Sequence, residues 1–245
     1  MKYIMSVAVL LGLWSCAADR ELRPYYFPFK DLTEGLVYEY QPIGDTLSPP
    51  FYTYYRTLYQ DDKTFLTAMF YDYQYQPFQF VSERMVNSGA LLERMYLYEN
   101  DTLQRQTQVP VEVLANNTFP FKLSRDAPGG ILLMQMRWQP PSQPGSTITL
   151  TRNRQYARDT TWTYRGETYD AIQLRTVEEI DQEIDGHLTQ EYAGEEIYAE
   201  GLGLVYYIKR VSADFILEYR LTDRYPMKEF LDRAGQPLSE PPVVE

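Results

Sequence analysis

The sequence predicts an all-β protein, mainly antiparallel, in the form of a curved sheet or half-barrel with at most one or two short helices. Short runs that alternate apolar and polar residues recur along most of the chain. Tyrosine is abundant, with 23 residues against 13 glycines, and tyrosine, threonine, valine and isoleucine favour the half-buried surface of a sheet. No break in composition divides these runs, so we expect one β-rich domain over residues 35–235.

The strand-like runs follow one another as hairpins, which is why the sheet is expected to be antiparallel. Polar or glycine-containing turns separate them at 60–63, 87–89, 165–167 and 185–186. Such turns suit tight connections between antiparallel strands. The predicted strands are 36–40, 52–59, 64–71, 78–86, 90–98, 131–138, 147–153, 160–164, 168–176, 177–184, 187–193, 203–211 and 214–222.

One short helix is predicted near the C terminus. Pro226 suits the first position of a helix and Gly235 can end it. Met227, Phe230 and Leu231 fall on one stripe at helical spacing. We therefore expect a single amphipathic helix over residues 226–234.

The first residues, MKYIMSVAVLLGLWSC, resemble a bacterial lipoprotein signal peptide. Lys2 supplies a positive start, and the apolar run that follows is shorter than the roughly 20 residues of a spanning helix. Ser15 precedes Cys16, the only cysteine of the chain. The resemblance implies export, cleavage after residues 1–15 and a palmitate-type lipid on Cys16 that anchors the chain to a membrane. An ordinary secretory signal with a chance cysteine is the alternative.

The rest of the chain is divided into a tether at 16–34, the β-rich domain at 35–235 and a Pro-rich, acidic tail at 236–245 that we expect to be disordered. Without a second cysteine no disulfide can form within the chain, so stability depends on the hydrophobic core. The formal charge of −11 repels polyanions, and we expect no nucleic-acid partner.

A tyrosine-rich, cysteine-poor body behind a short lipobox is similar to outer-membrane lipoproteins of the Bacteroidota. The stretch EEIYAEGLGLVYYIK at 195–209 is similar to a late segment of exported β-rich proteins, some of which resemble the half-barrel of the LolA/LolB lipoprotein carriers. The resemblance implies an outer-membrane location, with the periplasmic and surface faces both open. It also implies an antiparallel sheet curled around an apolar groove.

Catalytic residue types are scarce. His187 is the only histidine and lies beside a predicted turn, so a serine triad would have to use it. No Gly-x-Ser-x-Gly elbow and no phosphate-binding glycine loop is present. We therefore expect neither an enzyme nor a cofactor, with a carboxylate-based glycoside hydrolase as an alternative.

A run of acidic residues precedes the turn at 185–186. Asp181, Glu183 and Asp185 resemble the opening of a calcium loop, but the third position is Glu and Tyr192 stands where a bidentate Glu is required. A metal site and a solvated hairpin face are both open, and the solvated face is favoured.

Leu132, Met134, Met136 and Trp138 alternate with polar or outward positions and share one face of a predicted strand. If the sheet encloses a groove, this face is the candidate lining for an apolar ligand.

Three Asp-Thr tripeptides resemble the sites that Bacteroidota O-glycosylate on exported proteins. Their threonines, the candidate glycosylation sites, are Thr46, Thr102 and Thr160.

Three functions follow from these observations. The first is a lipid-anchored envelope protein that offers a non-enzymatic binding or scaffold surface, with an outer-membrane protein as partner. The second is a carrier of lipid or another apolar ligand in the curved sheet. The third is the carboxylate hydrolase, which needs two acids converging in a cleft.

Overall fold

A computed structural model describes residues 19–44, 48–123 and 131–235. The predicted signal peptide, Cys16, Thr46 and the tail at 236–245 lie outside the described residues. Within these ranges the chain forms fifteen β-strands, a short 3-10 helix at Arg23–Tyr25 and one α-helix. The described residues contain no helix that is long and apolar enough to cross a membrane.

The elements run in the following order: β1 Arg20–Glu21, β2 Leu36–Pro42, β3 Phe51–Gln60, β4 Lys63–Tyr71, β5 Pro77–Val86, β6 Gly89–Asn100, β7 Gln106–Pro110, β8 Glu112–Pro120, β9 Lys122–Leu123, β10 Leu132–Trp138, β11 Thr147–Tyr164, β12 Glu167–Glu183, β13 His187–Ala199, β14 Gly203–Arg210, β15 Ile216–Tyr225 and α1 Met227–Ala234.

The strands form a closed antiparallel barrel of twelve strands. Its order is β5-β4-β3-β2-β15-β14-β13-β12-β11-β10-β8-β6, and β6 pairs back with β5. Strand β7 directly precedes β8 in the chain and pairs with the C-terminal half of β6, from Tyr96 to Asn100. The all-β class and the single short helix near the C terminus are confirmed, and the curved sheet closes completely.

Tight hairpins join most neighbouring strands. Asp61 and Asp62 have φ of 49° and 59°, and Arg165 and Gly166 have φ of 52° and 84°. Two consecutive residues with positive φ are the mark of the type I′ turn, whose twist matches that of the flanking strands. The turns predicted from these residues are therefore confirmed. We call the end of the barrel that carries these two turns the lower end, and the end with the 184–186 turn the upper end.

Residues 20–34 close the lower end of the barrel, and we call them the plug. Strand β1 pairs with β9, and the Leu22 N–H donates to the Phe121 carbonyl at 2.7 Å. The side chains of Leu22, Tyr26, Phe27 and Leu32 are at most 6% exposed. The segment assigned to a tether therefore belongs to the fold from Arg20 onward, because its aromatic residues fill the lower opening.

Phe27 is the central contact of the plug. Its ring lies 4.2 Å from that of Tyr55, measured between centroids, inside the barrel. A Cβ atom at Gly203, which has φ of +84°, would lie 2.4 Å from Phe27 Cδ1. Gly203 therefore serves both the backbone conformation at the start of β14 and the seat of the Phe27 ring.

Helix α1 packs on the outer surface of the barrel. Phe230 is fully buried, with its ring centroid within 5.3 Å of those of Tyr52, Tyr71 and Tyr75. Gly235 ends the helix with φ of 63°. The predicted stripe of apolar residues thus packs against the outward tyrosines of β3 and β4 and against Tyr75 of the loop that follows β4.

Candidate binding site at the open end of the barrel

The wall formed by β10 to β13 presents rows of side chains to the space inside the barrel, which we call the lumen. Met134, Arg152, Glu178 and Tyr192 are register partners across these four strands. Paired residues of an antiparallel sheet point to the same face. Met134 is buried in a lumenal cluster, so Arg152, Glu178 and Tyr192 also point into the lumen. We call these four residues, together with Lys209 of β14, which bonds to Glu178, the charged row.

Two further rows lie between the charged row and the upper rim. Their members come from the same four strands, and each pair of residues along a strand adds about 7 Å. The first row consists of Met136, Leu150, Ile180 and Gln190, and the second consists of Trp138, Ile148, Gln182 and Leu188. Most of these side chains are apolar, so an apolar wall leads from the rim down to the charged row.

Glu178 accepts hydrogen bonds from two cations in the charged row. The Arg152 Nε donates to Glu178 Oε2 at 2.8 Å, and Arg152 Nη2 donates to the same oxygen. Lys209 of β14 donates from Nζ to Glu178 Oε1, and its ammonium lies 4.4 Å from the centroid of the Tyr192 ring. Burial alone would raise the pKa of Glu178, but Arg152 and Lys209 outweigh burial and lower that pKa to about 2.

The charged row carries more positive than negative charge. Arg152 and Lys209 both pair with the single Glu178 carboxylate, which leaves one net positive charge. Their side chains are 30% and 27% exposed, whereas that of Glu178 is 8% exposed. A chain with a formal charge of −11 therefore holds a locally positive, solvent-accessible site inside its barrel.

A second ion pair lies deeper in the lumen. Arg154, two residues further along β11, donates from Nε to Glu196 Oε2 at 2.8 Å and from Nη1 to the Thr118 carbonyl at 3.2 Å. Tyr198 donates to the same Glu196 oxygen. Both charged side chains are about one-tenth exposed. Burial opposes ionisation of Glu196, but Arg154 holds its pKa below the usual range.

Solvent access changes along the lumen. Near the plug, Ile172 and Leu174 of β12 are at most 1% exposed. Further up β12, Ile180 is half-buried. Leu188 of β13, at the rim, is 58% exposed. The side chains that line the lower lumen are buried, and those nearer the upper rim are increasingly exposed to solvent.

The predicted apolar lining lies in β10 and faces the lumen. Met134 and Met136 are at most 6% exposed and pack against Leu92, Met95 and Val111. They are part of the core, because β6 and the start of β8 cover them. Trp138 is half-buried near the rim, and its Nε1 donates to Glu99 Oε1 at 3.1 Å. Leu132, lower on the strand, is half-buried.

The predicted metal ligands point away from the lumen. Asp181 accepts a hydrogen bond from Thr189 Oγ1 at 2.9 Å and lies 3.3 Å from His187 Nδ1. Glu183 and Asp185 are exposed. Over the described ranges, no three histidine, cysteine, aspartate or glutamate residues are grouped closely enough to hold a metal ion.

Two of the predicted glycosylation sites fall on described residues. Thr102 is exposed in the loop between β6 and β7, where Asp101 accepts hydrogen bonds from the backbone N–H groups of Leu103 and Arg105. Thr160 is half-buried within β11. Glycosylation stays a prediction for all three threonines.

No sequence motif marks Arg152, Glu178 or Lys209 as functional residues. A signal for one of them is present: Ile148 and Leu150 share a face in the run TITLTRNR, and the same face continues with Arg152. A charged residue that continues an apolar strand face is placed where apolar side chains belong. Such a residue needs a buried partner, which the local sequence does not identify.

No family model and no curated protein matches this sequence. Two solved structures do resemble the barrel. A candidate lipoprotein from Parabacteroides distasonis aligns with a TM-score of 0.51, and a candidate exported protein with a YmcC-like fold from Bacteroides fragilis aligns with a TM-score of 0.53. Each is 12% identical and covers 82% of this chain and 98% of its own. The chain therefore shares the fold of these two proteins.

Proposed function

We propose that this protein is an exported, lipid-anchored envelope protein that binds a ligand, without chemical conversion, at the upper end of its barrel. The observation that carries the proposal is the charged row, where Arg152 and Lys209 share the Glu178 carboxylate in a lumen open to solvent. A half-buried site with uncompensated charge is suited to a complementary ligand.

Export and anchoring are supported by the signal-like start and by the kind of protein that shares the fold. One similar structure is described as a candidate lipoprotein and the other as a candidate exported protein, both from related bacteria. We place the chain at the outer membrane of a Bacteroidota-type envelope, held by palmitate-type lipid on Cys16.

The proposed anchor also orients the binding site. Cys16 precedes Arg20 by four residues, and four residues span at most about 14 Å. Arg20 belongs to the plug at the lower end. Lipid on Cys16 would hold the lower end near the membrane, so the upper opening would face away from it.

A binding role fits the lumenal carboxylates better than a catalytic role. General acid–base catalysis works best with a pKa near the operating pH, whereas the pKa of Glu178 is about 2. Glu83, whose pKa burial raises, accepts a hydrogen bond from Tyr26 of the plug and lies on the closed side of the lumen. His187 is exposed on the hairpin outside the lumen. These placements disfavour the carboxylate hydrolase.

The lumen also limits how far an apolar ligand can enter. Below the charged row, Ile172 and Leu174 are at most 1% exposed, and on the β10 side Met134 and Met136 are covered by the chain's own side chains. Ligand binding is therefore confined to the β11 to β14 side of the charged row and of the two rows above it. This is a narrower site than the open groove of a half-barrel carrier.

The test uses protein purified from native membranes and analysed by native mass spectrometry. We expect palmitate labelling to be lost in Cys16→Ser, and we expect a bound small molecule in wild type that is lost in Arg152→Gln. Arg137→Gln is the matched control, because Arg137 lies outward on β10 and pairs with Glu112 at 2.8 Å. A molecule retained equally by all variants, or a co-purifying protein in place of any small molecule, would contradict binding in the lumen.

A further inference from the structure

We infer that the ligand of the upper lumen is an amphipathic monocarboxylate, a molecule with one carboxylate and an apolar body. This inference rests on the proposed binding function and adds the chemical class of the ligand. It is based on one excess positive charge, from Arg152 and Lys209, that lies at the base of an apolar wall.

The charge balance selects a single negative charge. Arg152, Lys209 and Glu178 together sum to one positive charge, which a carboxylate neutralises. A phosphate monoester carries about −1.5 to −2 at neutral pH and would leave excess negative charge in a half-buried site. Glu178 stays ionised at neutral pH, so it contributes a full charge to this balance.

The donors of the charged row suit a carboxylate in geometry as well. Among the described residues, Arg152 donates from Nε and Nη2 to Glu178 and its Nη1 donates to no other side chain. Lys209 has three donors, of which one is used by Glu178. A planar guanidinium beside an ammonium matches the two oxygens of a carboxylate.

The rows above the charged row favour an apolar body. Leu150 and Ile180 lie directly above it, followed by Trp138 and Ile148, and all four are half-buried. The two rows extend over about 14 Å of strand. Covering their exposed apolar surface would remove it from water, which favours binding in proportion to the area covered.

The experiment measures the affinity of four probes by calorimetry, with one preparation of the Cys16→Ser chain in the same buffer for all four. The probes are decanoate, decanol, acetate and decyl phosphate, which separate the head group from the tail. We expect decanoate to bind at least tenfold more tightly than each of the others. Equal binding of decanol would overturn the inference of a carboxylate, and equal binding of acetate would overturn that of an apolar body.

Variants of the charged row test whether the probe binds there. Arg152→Gln should weaken decanoate binding by about ten- to a hundredfold, as expected for loss of hydrogen bonds to a charged group. Arg137→Gln should leave it unchanged. Glu178→Gln raises the site to two positive charges and should reverse the preference, so that decyl phosphate binds more tightly than decanoate.

The outcomes separate this inference from the function on which it rests. If Glu178→Gln weakens both probes equally, Glu178 is only structural and the charge argument fails. If no probe binds but the native protein carries another small molecule that Arg152→Gln releases, the monocarboxylate is wrong and the binding function stands. If neither probes nor a native ligand bind, both proposals fail.

Discussion

Two inward-facing arginines of β11 lie two residues apart and have different surroundings. Arg154, toward the plug, pairs with Glu196 in a site where both side chains are about one-tenth exposed. Arg152, toward the open end, shares Glu178 with Lys209 and is 30% exposed. The same residue type on the same strand face is thus neutralised in one row and carries excess charge in the next.

This difference shows how one barrel can combine a rigid lower half with an upper half that is suited to binding. In the lower group Arg154 bonds to Glu196 and the Thr118 carbonyl and also faces Glu83, which leaves no excess cation for a ligand to neutralise. The upper group has an extra cation and an opening to solvent. Strand pairing is continuous through both rows, so the lower half can hold the upper half in place.

The largest expected effect is on the lower pair. Arg154→Met leaves the Glu196 carboxylate buried without a cation, and we expect a loss of about 3–5 kcal/mol in the free energy of unfolding. Arg152→Met leaves Glu178 paired with Lys209 in a wetter site, so its loss should be smaller, about 1–2 kcal/mol. Urea unfolding of both variants measures the difference, and equal losses would remove the distinction between the two rows.

Substitutions of apolar side chains should also destabilise the protein more at the lower end than at the upper rim. Phe27→Ala removes a ring that is 6% exposed in the plug and should cost about 3–5 kcal/mol. Leu188→Ala, at the open rim and 58% exposed, should change stability by less than about 0.5 kcal/mol. Thermal and urea unfolding of the pair provide the measurement. A small effect of Phe27→Ala would mean that residues 20–34 behave as a tether after all.

Lowering the pH should remove the stabilisation that Glu178 contributes to the folded protein. The pKa of Glu178 falls from an ordinary 4.5 to about 2 in the folded protein. A lowered folded pKa stabilises the protein above the unfolded pKa, and this contribution is lost as the pH falls toward 2. The loss amounts to about 3 kcal/mol between roughly pH 6 and pH 2. Glu178→Gln should lack this part of the pH dependence, and parallel profiles for wild type and variant would refute the assignment.

Glu83, beside the plug, should give the smallest effect and the opposite sign. Burial raises its pKa and outweighs the hydrogen bonds from Thr118 and Tyr26. A raised folded pKa stabilises the protein below the unfolded pKa, and that contribution is lost as the pH rises through the folded pKa. Glu83→Gln should therefore be more stable than wild type at pH 8 but not at pH 4, as measured by urea unfolding. A variant that is destabilised equally at both pH values would show that Glu83 acts only through its shape.

Much of the local structure was predictable because its signals are local. Period-2 alternation and turn residues predict the strands and the hairpins at 61–62 and 165–166, and the stripe of Met227, Phe230 and Leu231 predicts α1. The signal-like start and the charge of −11 are likewise properties of the chain itself. These features depend on neighbours a few residues apart, which is why the sequence alone determines them.

Only the tertiary structure decided the closure of the barrel, the plug and the charged row. Closure depends on the β5–β6 pairing and on the register of β8 with both β6 and β10, and period-2 alternation is the same for an open and a closed sheet. Phe27 reaches Tyr55, and Lys209 reaches Glu178, across long stretches of chain. Such contacts form only when distant strands are placed side by side, and no local pattern specifies which strands those are.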